Sequence, residues 1–170
     1  MIDIRPAVES DSLGIAKVHV HTWQTAYRGI VSDAYLESLS VTKRESIWRE
    51  AIAVGNSELW IADAGSEIVG WVAFGASRDA DAVQHAGELW AIYVMPTSWS
   101  MGLGRNLWLT AKKRLMERGF LSATLWVLKD NLRAIRFYRA AGFEEDPTSE
   151  KEIIRGDQRL REVRYATALI

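Results

Sequence analysis

Apolar positions along this chain switch repeatedly between two spacings. Ile2, Ile4 and Pro6 alternate with charged neighbours, which predicts a half-buried strand over residues 2–8. Glu9, Ser10, Asp11 and Ser12 are residues that cap helices. From there Leu13, Ala16, Val20, Trp23 and Tyr27 recur at helical spacing until Gly29, a residue suited to ending a helix. A second helix is predicted over residues 42–54, where Thr42 and Glu45 have the spacing of a capping box and Gly55 closes the run. Residues 59–62 and 68–74 are apolar runs either side of Ala64-Gly65-Ser66 and read as an antiparallel hairpin. Residues 77–86 are small and polar, hence a loop.

Residues 88–95, ELWAIYVM, form an apolar strand stopped by Pro96. A glycine turn over residues 100–104 leads into a helix over 105–118, with Leu107, Ala111 and Leu115 on one stripe and Gly119 at its end. A strand over 123–128, a helix over 131–141 ended by Gly142, and strands at Phe143 and over 162–169 complete the chain. The order is β-α-α-β-β-β-α-β-α-β-β. The strand–helix–strand unit over 88–128 calls for a parallel crossover. The predicted fold class is therefore α/β with a mixed, mostly antiparallel sheet, one parallel strand pair and helices on both faces. No repeat, low-complexity tract or linker divides the 170 residues, so one domain over 1–170 is expected.

Charge and composition narrow the function. Lys and Arg number 21 against 22 Asp and Glu, so the surplus of cations that a general nucleic-acid binder needs is missing. The absence of Cys removes disulfides, thiolate catalysis and cysteine-based metal sites, and fits a reducing, cytoplasmic compartment. The first residues lack the apolar core of a signal peptide, and no run approaches the roughly 18 apolar residues that would span a membrane. His19 and His21 are two apart in a helix and do not face together, so no metal site is expected. Eight Trp are an excess, which means a lined pocket, an interface or a Trp-rich core.

Two segments carry candidate chemistry. Gly102 and Gly104 sit where a strand passes into a helix. Free N–H groups at a helix start, approached closely through glycine, suit an anion such as pyrophosphate; the same spacing also makes a plain tight turn. Leu107 stands where a dinucleotide fingerprint would need its third glycine, and no Lys-Ser or Lys-Thr follows, so both nucleotide motifs fail. The second segment, NLRAIRFYRAAGF, starts on Asn131, a potential cap, and places Ala134 and Tyr138 on one helix face with Phe137 beside them.

Taken together, YVMP-TSWSMGLG and NLRAIRFYRAAGF resemble the GNAT superfamily of N-acetyltransferases, and more specifically its bacterial small-substrate members. The resemblance implies acetyl-CoA in a V-shaped opening between the two parallel strands. It implies pyrophosphate on the main-chain amides of Met101, Gly102, Leu103, Gly104 and Arg105, and pantetheine along Ile92, Tyr93 and Val94. Asn131 would hydrogen-bond that arm, Ala134 and Phe137 would flank it, and Tyr138 would face the thioester sulfur. Trp99 and Ser100 depart from the family pattern, which carries Arg or Gln and then Gly there; Arg105 or Lys112 would supply the missing charge. Family members often dimerise, so a homodimer is an expectation too.

Acetyl transfer to an amine needs a neutral amine, a stabilised oxyanion and a proton for the leaving thiolate. Neutralising a lysine-like amine at pH 7 costs about 4.6 kcal/mol and an α-amine about 1.4 kcal/mol, so a base matters most for the first. Glu88, opening the cleft strand, is the candidate base, with His85 as alternative; either could equally be a solvated surface group. Tyr138 is the candidate acid, against the reading of a core tyrosine. Trp23, Tyr27, Trp90 and Trp126 are candidate walls for the acceptor, and Trp71 lies on a nearby strand; each could equally be core. The expected activity is direct transfer to a small-molecule amine. A protein or peptide acetyltransferase and a non-catalytic acyl-CoA-binding module are the alternatives.

Overall fold

A computed structural model describes all 170 residues. Seven strands form one sheet in the order β1-β2-β3-β4-β5-β7-β6. They are β1 (Asp3–Pro6), β2 (Glu58–Asp63), β3 (Ile68–Ala76), β4 (Ala86–Val94), β5 (Ser122–Leu128), β6 (Glu144–Arg155) and β7 (Gln158–Ala168). The helices are α1 (Ser12–Ala26), α2 (Asp33–Ser38), α3 (Val41–Val54), α4 (Leu103–Glu117) and α5 (Leu132–Ala140). All pairings are antiparallel except β4 with β5. The expected mixed sheet is present, with one additional short helix, α2. No helix is long and apolar enough to cross a membrane.

Both faces of the sheet are covered. Leu107, Trp108, Ala111 and Leu115 of α4, with Ile135 and Tyr138 of α5, pack on Val72, Phe74, Leu89, Leu125, Val163 and Tyr165. On the opposite face Ile15 and Val18 of α1 meet Ile61, Trp71 and Ala73, with Trp48 and Ile52 of α3 behind them. The near-continuous apolar run of β3 follows from this, since a central strand buried on both faces needs no polar alternation. Trp71 is fully buried, and its indole donates to the Ile15 carbonyl at 3.2 Å. It therefore belongs to the core and not to a pocket wall. Burial of one such side chain contributes roughly 2–3 kcal/mol.

Some ends differ from the pattern-based reading. α3 is capped by Ser40, whose hydroxyl accepts from the Lys43 amide at 3.2 Å, and not by Thr42 and Glu45. Asp11 accepts from the Val8 amide and pairs with Arg5, which also binds Asp63, so this acidic cluster ties β1 to β2 and to the start of α1. β6 and β7 form a long hairpin closed at Arg155 and Gln158, where only short terminal strands were expected.

The sheet is interrupted at one place. β4 and β5 pair only from Ala86 with Ser122 to Glu88 with Thr124. Just beyond, β4 carries a bulge, with Leu89 opposite Phe74, Ala91 opposite Ala73, and Trp90 the extra residue between. A bulge bends the strand and changes which face its side chains take. Ile92 and Val94 accordingly join Leu89 on the α4 face, while Tyr93 packs on the α1 face against Trp71. From Trp90 onward one edge of β4 is open, whereas β5 continues in register with β7.

Candidate active site

The opened strands border a cavity of about 610 Å³. It reaches through the sheet. One end is walled by Leu103, Gly104, Ala134, Phe137 and Tyr138 of α4 and α5, and the other by Thr22, Trp23, Ala26 and Tyr27 of α1 with Ile153, Arg155 and Glu162 of the hairpin. Trp90, Trp126, Ile92, Tyr93, Val94 and Asn131 line it between these ends. The sequence therefore marks residues that the fold does gather. Met101 is the exception: it is 72% exposed and does not line the cavity. His85 and Lys112 lie outside it as well.

The start of α4 is built for an anion. Gly102 is the N-cap at φ +78°, a conformation that glycine adopts without strain, and its lack of a side chain leaves the first turn uncapped. The first helical amide bond at this end runs from Asn106 to the Gly102 carbonyl, so the N–H groups of Leu103, Gly104 and Arg105 have no acceptor within the helix. A Cβ on Gly104 would come 3.3 Å from the Phe137 ring, which lets α4 and α5 approach closely at the cavity mouth. Ser100 has φ +62°, the left-handed region that the family's usual glycine would occupy freely. Trp99 donates from Nε1 to the Val94 carbonyl at 2.7 Å, and its ring carries the guanidinium of Arg133 at 3.5 Å from the centroid. Of the two cations expected here, Arg105 lines the cavity and Lys112 does not, and Arg133 on α5 adds a further one. A stacked cation leaves no signal in one-dimensional spacing, so Arg133 was missed.

The open edge of β4 comes next. Met95 donates to Val69 at 2.8 Å, and the antiparallel alternation then turns the main-chain groups of Tyr93 toward β3 and those of Ile92 and Val94 toward the cavity. The Val94 carbonyl is already used, accepting from Trp99 and from the Thr22 hydroxyl at 3.2 Å. Tyr93 contributes its side chain on the α1 side, not its backbone.

Asn131 caps α5: its Oδ1 accepts from the Ala134 amide at 3.2 Å, leaving its Nδ2 hydrogens free. Tyr138 is buried, its ring against Phe137 and Phe143, and its hydroxyl has no hydrogen-bond partner within the chain. Burial, with Tyr93 close by, pushes its pKa well up. Trp23 and Tyr27 meet edge-to-face at 4.7 Å, and burial raises the phenols of Tyr27 and Tyr93.

Glu88 lines the cavity as expected. It is 2% exposed, as a buried base would be, but its carboxylate is occupied by Arg78, which donates from its amide at 2.9 Å, from Nε at 3.3 Å and from Nη2 at 2.6 Å. The Arg78 guanidinium also lies 4.2 Å over Trp90. To accept a substrate proton, Glu88 would have to give up an ion pair. Glu162, at the start of the terminal strand expected over 162–169, is a second carboxylate here. It lines the cavity, and burial raises its pKa even though Lys151 and Arg155 oppose the shift. Its alternation with buried Leu160 along β7 was the available clue. Trp126 is fixed by donation to Asp79 at 2.9 Å, and the Lys151 ammonium sits 4.0 Å over its ring.

Comparison with known proteins gives a consistent family. The model described as acetyltransferase (GNAT) family matches residues 20–143. An uncharacterised N-acetyltransferase, YuaI, of Bacillus subtilis strain 168 is 34% identical over 164 residues, covering 96% of this chain and 91% of the relative. A spermidine N(1)-acetyltransferase of Thermoplasma acidophilum is 26% identical over 158 residues, covering 90% and 94%. Among solved structures, the PaiA N-acetyltransferase of Thermoplasma acidophilum in complex with coenzyme A superposes with TM-score 0.76 at 24% identity, covering 95% of this chain and 98% of that one. YncA, an acetyltransferase of Salmonella typhimurium with acetyl-CoA, gives 0.74 at 21% identity, covering 100% and 95%.

Proposed function

The chain belongs to the acetyltransferase (GNAT) family, and from that membership we propose that it moves an acetyl group from acetyl-CoA directly to the amine of a small acceptor. The observation that carries this reading is the cavity that opens where β4 and β5 part, with an uncapped helix start at one end and Tyr138 in its wall. Acetyl-CoA supplies an acetyl group activated as a thioester. The amides of Leu103, Gly104 and Arg105 receive its pyrophosphate, with Arg133 and Arg105 offsetting the charge. The open edge at Ile92 and Val94 holds the pantetheine arm and presents an N–H to the thioester oxygen as negative charge gathers there. The free amide hydrogens of Asn131 point this arm, and Ala134 and Phe137 flank it.

Glu162 takes the proton that frees the amine, in the role first looked for at Glu88. The amine nitrogen then bonds to the acetyl carbon as the carbon–sulfur bond breaks. Tyr138 protonates the sulfur, and the nitrogen, carrying one proton more than the amide needs, returns it to the Tyr138 oxygen. The raised pKa of Tyr138 keeps the phenol protonated until the sulfur takes its proton. No cysteine exists to carry the acetyl group, which supports direct attack of the acceptor on the thioester. Thiol-release assays with acetyl-CoA and a panel of amino acids, amino sugars and polyamines test the reading. Amine-dependent release is expected, and binding of coenzyme A without release in any arm would refute it.

A further inference from the structure

We propose that the acceptor amine also carries a carboxylate, with Arg155 receiving the carboxylate and Glu162 facing the amine. The inference rests on the acetyl-transfer reading and specifies its acceptor. At the hairpin end of the cavity the charged side chains are Arg78, Lys151, Arg155, Glu88 and Glu162. Arg78 is committed to Glu88 at 2.6 Å, and Lys151 lies 3.7 Å from Glu162 while resting on Trp126. Arg155 is left over. No carboxylate lies within salt-bridge distance of it, and its guanidinium bonds only the Ile154 carbonyl at 3.0 Å. It is half-buried at the closing pair of the β6–β7 hairpin, over the Trp23 ring at 5.9 Å.

Three cations against two carboxylates leave one positive charge in a partly dry pocket. That surplus matches a monoanion, and a guanidinium fork suits a carboxylate. Arg155 is also near enough to act electrostatically on both Glu162 and the Tyr93 phenol, so a ligand bridging Arg155 and Glu162 would lie along the tyrosine wall. A polyamine would meet Arg155 and Lys151 as like charges.

The test compares matched amines by thiol release at saturating acetyl-CoA: α-amino acids, their carboxamides, the decarboxylated amines, an aminoalkyl phosphate and spermidine. The carboxylate member should lead by about tenfold or more in kcat/KM, mainly through KM, as one charge-assisted hydrogen bond would give. Arg155→Gln should erase that lead, Arg155→Lys should restore part of it, and calorimetry should show coenzyme A affinity unchanged in both. Equal or faster turnover of the carboxamide, the phosphate or spermidine overturns the proposal while leaving acetyl transfer intact. So does a lead that persists in Arg155→Gln. If no amine stimulates release although coenzyme A binds, the acetyl-transfer reading falls and this one with it.

Discussion

Tyr138 shows what a single residue contributes and how far one-dimensional reading reaches. Its four-residue spacing from Ala134 on a capped amphipathic helix placed it on the cavity face in advance. That its hydroxyl makes no hydrogen bond within the chain, although Tyr93 is near, could come only from packing. Replacing it with Phe keeps the ring contacts with Phe137 and Phe143 and removes one hydroxyl. Tyr138→Phe should lower kcat at least about tenfold, within the usual range for loss of a general acid. Calorimetry should show acetyl-CoA affinity unchanged, and unaltered turnover would remove Tyr138 from proton transfer. Glu88 and Glu162 show the opposite case. Both are acids on strands, and their sequence contexts do not rank them. What separates them is their partners: Arg78 folds back from a loop onto Glu88 at 2.6 Å, while Glu162 keeps only a looser 3.7 Å pair with Lys151 and lies near the tyrosines.

Among the elements, the apolar ones were legible and the charged ones were not. β3 announces itself because both its faces are buried, and β4 and β5 because none of their positions is fully exposed. β6 is charged on most positions, with Glu144, Glu145, Lys151 and Glu152 all exposed, so no period-two signal marks its length. α2 has six residues, too few to show a helical period. Helix starts were read from residue type, and this worked where the cap lies beside a clear apolar stripe, as at Asn131. It failed at α3, where three candidate hydroxyl residues crowd one junction and Ser40 takes the role. Asn131 also allows its two tasks to be separated. Asn131→Asp keeps an oxygen for the Ala134 amide but loses the Nδ2 hydrogens. Its melting temperature should stay within a few degrees of wild type, since only loss of the cap would cost about 1 kcal/mol. KM for acetyl-CoA should rise several-fold; an unchanged KM would confine Asn131 to capping.

At the level of the whole molecule, α1, α3 and the sheet meet around His19. Its ring lies among Trp23, Trp48, Trp71 and Tyr93, and Nδ1 accepts from the Trp48 indole at 3.2 Å. Burial, reinforced by Arg44, holds its pKa down to about 3. Between that value and 6.5 the unfolded chain binds a proton that the folded chain refuses, so stability falls as pH falls through this window. The slope should approach about 1.4 kcal/mol per pH unit. Denaturant titrations at pH 7, 6 and 5 should show this decline. His19→Gln keeps an acceptor for Trp48 and should flatten the slope whatever its absolute stability; an identical slope would refute the assignment. Sequence reading saw two histidines with the wrong spacing for a metal, but it could not see that one of them closes a cluster of aromatic rings drawn from two helices and two strands.

The interrupted pairing of β4 and β5 has a further consequence for turnover. The gap is lined from α4 and α5 on one side and from α1 on the other, so the acetyl-transfer reading brings donor and acceptor in from opposite faces of the sheet. On that reading a spent carrier would not have to pass the acetylated product, and neither order of arrival would be required.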